Sequence, residues 1–166
     1  MIEIRSIAGQ KTWKECGLSD LRDTPLRFRY EAPSIFEQAD SVERAVAMLQ
    51  QSIGLDKIVG SIAVATPIEI VTITTGNLFH LVEKRDNARE RYANYILPTL
   101  QSPFEIWCTE YSDGNPRNRY IGLFTGKVDI AIIVKVEANG RIMWNIMNAD
   151  RGRMNKFREG LLLWSK

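Results

Sequence analysis

The chain has 166 residues, 45% of them hydrophobic, which is enough for one ordinary core. The formal net charge is only +2, so no overwhelming basic field surrounds it, and a single histidine, His80, excludes the zinc-hydrolase layouts that need several. Charge is uneven along the chain: residues 1–79 carry 8 Lys/Arg against 10 Asp/Glu, and residues 80–166 carry 14 against 10. The positive balance therefore lies with His80 and fits a phosphate-bearing partner. The two cysteines, Cys16 and Cys108, form no Cys-x-x-Cys pair, so structural zinc and dithiol redox chemistry have no support, and two free thiols are the simpler expectation. There is no apolar run of membrane-spanning length, and the opening Met-Ile-Glu-Ile-Arg is no signal peptide. The expectation is cytoplasmic synthesis and action, with phage or secretory delivery, or excision from a larger polypeptide, left open.

Residues 1–35 are mixed and polar, with Trp13, Phe28 and Tyr30 among prolines, and read as loops with a short strand or helix. The spacing of Ile35, Val42, Ala45, Val46 and Leu49 predicts a helix over 34–53, with Gly54 as its C-cap. Residues 55–66 are ambiguous. The β-branched run 69–74 predicts a strand, and Thr74 or Thr75 can cap a helix starting near Gly76. That helix extends to about residue 97 with a break near Asp86-Asn87; Ala88, Tyr92, Tyr95 and Ile96 mark its buried side, and Pro98 and Pro103 end or kink it. Strands are predicted over 104–111, 119–125, 128–136 and 141–147, joined by turns at Ser112-Asp-Gly-Asn-Pro and Ala138-Asn-Gly. A last apolar run, Leu161-Leu-Leu-Trp, follows the basic stretch 151–158. The order gives an α+β fold, with helices on one face of a four- to five-stranded antiparallel sheet. The expected division is an N-terminal helical or accessory region, residues 1–55, and a sheet domain, residues 56–166.

His80 and Lys84 are four apart and share a helix face. Arg85, Arg89 and Arg91 follow, interleaved with Glu83, Asp86 and Glu90. Judged singly, each is ordinary solvated helix surface, and so are Arg117, Arg119 and Tyr120 before their apolar strand. Together, one histidine, several cations and a tyrosine on a helix-plus-meander match metal-independent RNA cleavage. That chemistry needs a base for the 2′-hydroxyl proton, cations for the charge gathering on phosphorus, and an acid for the leaving 5′-oxygen. No carboxylate cluster for two metals is visible, and neither Gly-x-x-x-x-Gly-Lys-Ser/Thr nor Gly-x-Gly-x-x-Gly occurs.

The order Thr66-Pro-Ile-Glu-Ile-Val-Thr-Ile, Leu78-Phe-His-Leu-Val-Glu-Lys-Arg, Ala88-Arg, Tyr92-Ala, Thr99-Leu-Gln-Ser-Pro-Phe-Glu-Ile-Trp, Arg119-Tyr-Ile and Arg158-Glu-Gly-Leu-Leu resembles a known family. It is similar to the phage-associated Barnase/EndoU/colicin/RelE-like nuclease domains, second subfamily, over residues 66–164. The resemblance implies a helix packed on a four-stranded antiparallel sheet, metal-independent ribonuclease activity and a toxin-like role. It also implies RNA, tRNA included, as substrate and an immunity or antitoxin protein as partner, and no cofactor or metal is expected. By position, His80 matches the family's helix histidine, the acid–base residue. Arg89 matches the arginine of the next helix, and Arg119 and Tyr120 match the polar start of the second strand. Lys84, Arg85, Arg89 and Arg119 would hold phosphate, with Tyr120 and Asn148 as supporting hydrogen-bonders. Asn148 stands where the family often carries Thr or Ser, and offers an amide in place of a hydroxyl. The alternative is a non-catalytic nucleic-acid-binding module or a phage structural component of the same fold.

Overall fold

The computed structural model describes residues 3–166. Its helices are α1 (Val42–Ile53), α2 (Thr75–Val82), α3 (Ile96–Gln101) and α4 (Arg151–Met154). Its strands are β1 (Ser61–Ala65), β2 (Ile70–Thr74), β3 (Glu105–Thr109), β4 (Arg117–Gly122), β5 (Asp129–Glu137), β6 (Gly140–Ala149) and β7 (Leu161–Ser165). All seven strands join one sheet in the order β1-β2-β6-β5-β4-β3-β7.

The expected four to five antiparallel strands are thus corrected to a seven-stranded mixed sheet. Two strands were added at the edges. The first, β1, lies in the ambiguous stretch and pairs with β2 as a hairpin; its small residues, Ser-Ile-Ala-Val-Ala, carry a weak alternation signal. The second, β7, is the final apolar run, paired with β3. The parallel contact follows from parity. The chain leaves β2 through helices and re-enters at β3, near the far side of the sheet and running opposite to β2. The meander β3-β4-β5-β6 then walks back by three reversals, which brings β6 beside β2 pointing the same way.

Placement of the helices on one face needs correction as well. In β5, Ile130, Ile132 and Val134 enter one core, while Ala131 and Ile133 enter another. Such a continuous apolar run needs cover on both sides. The first core is closed by α1, α2, α3 and the 3-10 segment Arg89–Tyr95. The second is closed by Leu21, Met154 and Phe157, with Trp13, Cys16 and Leu18 at its margin. Polar ties hold this N-terminal segment in place. Leu21 N–H donates to Asn155 Oδ1 at 3.2 Å, and the fully buried Arg29 side chain donates to Asp129 at 2.8 Å. Both cysteines are free thiols.

Helix α1 starts eight residues later than its spacing predicts, because the hydroxyl of Ser41 accepts the N–H of Arg44 at 3.1 Å and caps it. Before the cap, Phe36 and Ala39 donate their N–H groups to the Arg91 carbonyl and the Glu90 carboxylate, so residues 34–40 run alongside residues 85–91 instead. Gly54 is left-handed at φ +71°, as a C-cap requires. The predicted break near residues 86–87 is present. Pro98, however, falls in the first turn of α3, where a missing N–H leaves nothing unpaired, and it does not end the helix.

Candidate active site at the free edge of β6

The chain leaves β2 through a reciprocal cap. Thr74 Oγ1 accepts the N–H of Asn77 at 3.1 Å, and Asn77 Oδ1 accepts the N–H of Thr74 at 3.1 Å. Because β2 turns away here, it meets β6 in register only at Thr72 and Ile142. Beyond that pair β6 has a free edge, and α2 packs across it. Between helix and edge lies an open pocket of about 470 Å³. From α2 and its end come Asn77, His80, Glu83 and Lys84. Asn87 and Arg89 close one side, and Trp144 and Asn145 of β6 close the other.

The His80 side chain is 72% exposed, and its Nδ1 lies 3.5 Å from the Glu83 carboxylate, one turn along the helix. That contact orients the ring and leaves Nε2 for a substrate. Arg89 is brought in by an unusual backbone step. Ala88 has φ +43° and ψ +48°, the one left-handed non-glycine among the described residues. This step ends one 3-10 turn and starts the next, redirecting the chain so that Arg89 reaches the pocket. The Arg89 guanidinium donates to the Leu81 carbonyl at 3.3 Å and contacts Met147 Sδ at 3.9 Å, and no carboxylate pairs with it among the described residues. Burial holds its pKa below the usual arginine value. A half-buried guanidinium without a counter-ion suits an incoming anion.

The other residues expected at the site lie elsewhere. Arg85 donates to Glu90 Oε1 at 3.0 Å and to the carbonyls of Val82 and Ala39, clasping the loop before α1. Burial alone would push the Glu90 carboxyl up, but the hydrogen bonds from Arg85 and Ala39 bring it below its ordinary value. Arg119 is buried in the second core, where it donates to Tyr111 Oη at 2.8 Å and to the Phe157 carbonyl at 3.2 Å. Tyr120, its neighbour on β4, points to the opposite face. Its hydroxyl meets Glu69 Oε1 at 2.7 Å and Thr66 Oγ1 at 3.0 Å, and burial pushes its pKa far above the ordinary phenol value. Asn148 is exposed on β6 and donates to Tyr92 Oη at 3.3 Å. The structure therefore brings together His80, Lys84 and Arg89, and leaves Arg85, Arg119, Tyr120 and Asn148 outside the pocket lining.

Sequence reasoning missed Trp144 and Asn145. Their signal is a break in strand alternation: Met143 and Ile146, three apart, both enter the first core. The register shift opposite Ile133 and Val134 is a bulge that puts the two residues between them on the second-core side, where Trp144 packs on that core and both border the pocket. Among the described residues, no group of three or more His, Cys, Asp or Glu could hold a metal ion.

An open pocket with one imidazole and two cations, at the edge of an α+β sheet, has the chemistry to accept a phosphate ester. Comparison with protein families is more specific. The chain belongs to the phage-Barnase-EndoU-ColicinE5/D-RelE like nuclease2 family, whose model matches residues 49–165. This span takes in the end of α1 from Leu49 and the β1 hairpin as well as the pocket. No curated protein and no solved structure matches the chain. Family membership marks it as nuclease-like, with nucleic acid as its class of substrate. No described helix is long and apolar enough to cross a membrane.

Proposed function

We propose that this protein is a metal-independent endoribonuclease with a toxin-like role, and that His80 is its acid–base residue. The observation that carries the reading is the convergence of His80, Lys84 and Arg89, which has no carboxylate partner among the described residues, on one open pocket. His80 takes the 2′-hydroxyl proton as the 2′-oxygen attacks the adjacent phosphorus, and Glu83 holds the ring in place. Lys84 and Arg89 offset the charge that gathers on the phosphate oxygens. The bond from phosphorus to the 5′-oxygen breaks, the leaving oxygen takes a proton from water in the open pocket, and the imidazolium returns its own to solvent. The products are a 2′,3′-cyclic phosphate and a 5′-hydroxyl. Asn148, on β6 outside the pocket lining and bonded to Tyr92, is proposed only as a supporting hydrogen-bonder to a longer RNA.

Total RNA or tRNA incubated with the protein in EDTA should be cut, leaving cyclic phosphate ends. His80→Ala should lower the rate by about 10²- to 10⁴-fold, the usual contribution of a positioned acid–base group. Folded wild-type protein that cuts no RNA would sink the proposal. The toxin-like role further expects that expression of the wild type, and not of His80→Ala, arrests growth unless a small inhibitor protein is co-expressed.

A further inference from the structure

We infer that Trp144 is the floor of a base-stacking subsite beside His80, and that the enzyme therefore selects RNA in which a nucleotide next to the cleaved phosphate is unpaired. This rests on the ribonuclease reading above and specifies its substrate. Trp144, at the β6 bulge, lines the pocket while the rest of its ring packs on the second core. Its ring is held from behind. The Arg117 guanidinium lies 4.6 Å from the indole centroid and 4.9 Å from that of Tyr111, and Tyr111 meets Trp144 edge-on at 6.0 Å and 88°. Arg117 itself is fully buried and fixed by Asp113 at 2.8 and 3.1 Å and by the Asn115 carbonyl at 2.6 Å. One indole face is thus occupied and the ring is preorganised, so a planar ligand loses little freedom in stacking on what remains open.

The indole N–H of Trp144 has no hydrogen-bond partner among the described residues. Next to it, Asn145 uses its side-chain oxygen on the N–H of Ile146 at 2.9 Å, which leaves its amide N–H groups to a ligand. A fixed aromatic surface with free donors, set beside cations, suits a nucleobase attached to a phosphate better than a purely apolar group. A base inside a duplex has both faces covered by its neighbours, so only an unpaired one can reach the indole.

The test uses 2′-fluoro RNA hexamers, which lack the attacking hydroxyl, with one abasic position moved along the strand. One abasic position should weaken binding to the wild type about tenfold, as loss of a single stacked base does. Trp144→Ala should weaken the intact hexamer similarly, the two losses should not add, and Trp144→Phe should keep most of the affinity. In parallel, the wild type should cut a loop at least tenfold faster than the same sequence in a duplex. Binding indifferent to every abasic position, fully additive losses, or equal cutting of loop and duplex would each overturn the stacking subsite while leaving the ribonuclease reading intact. A wild type that neither binds nor cuts any of these RNAs overturns both. The abasic series needs no variant, so the outcome does not depend on whether Trp144→Ala folds.

Discussion

Arg85 and Arg89 lie four residues apart, yet they are used in opposite ways. Arg85 neutralises Glu90, which is fully buried, so Arg85→Ala leaves a carboxylate stranded in the interior. Thermal or urea unfolding should show a loss on the order of 3 kcal/mol for that variant. Arg89 has no carboxylate partner among the described residues, and its charge is already disfavoured by burial. Arg89→Met should therefore keep or raise the melting temperature while lowering RNA cleavage at least tenfold. Equal destabilisation by the two variants would contradict this division. Helical spacing could not make the distinction, since a break is expected near residues 86–87 but the direction of the chain beyond it is not. The left-handed Ala88 between the two arginines sets that direction, and nothing in Asn-Ala-Arg announces it. Arg119 and Tyr120 show the reverse case. Adjacent residues in a strand point to opposite faces, so their sequence position already spoke against a shared site.

At the scale of elements, the pocket exists because two pieces of backbone depart from regularity. One is the bulge in β6, and the other is the step at Ala88. A left-handed alanine is strained by its Cβ, whereas glycine is not. Ala88→Gly should raise stability by roughly 1 kcal/mol in chemical denaturation, less whatever the freer unfolded chain takes back. A lower stability would mean that the step carries no strain. The long strands and the Thr74 cap were legible because apolar runs and turn residues mark them locally. The β1 hairpin was not, since small residues at a sheet edge bury little and leave a weak pattern. The bulge was legible only in hindsight, as two core residues spaced three apart.

For the whole molecule, pH acts through the carboxylates that the fold ties down. The Arg117 guanidinium, with the Asn115 N–H, lowers the Asp113 pKa to about 2 from its ordinary 3.8, and Glu90 is also lowered. A depressed carboxylate contributes stability that is complete above its unfolded pKa and is lost as pH falls through the folded one. Asp113 thus stabilises the fold above about pH 4 and ceases to by about pH 2. Asp129, raised by burial, has the opposite sign and softens the onset. Melting temperatures should decline as the solution is acidified from pH 4 toward 2, and Asp113→Asn should flatten that decline; an unchanged slope would remove Asp113 as a cause. The general class, α+β, was legible from the order of elements, whereas the two-sided cover of the sheet was not. That cover depends on residues far apart in sequence, and this has a consequence in time. Leu21 is buried against Met154 and Phe157 and bonded to Asn155, so the second core cannot close until residue 157 has been synthesised. The first helix layer, made of residues 42–101, is translated long before that. Contacts that span most of a chain slow folding. During synthesis, the sheet must therefore wait with one face uncovered until residues 151–157 emerge to pin residues 13–21.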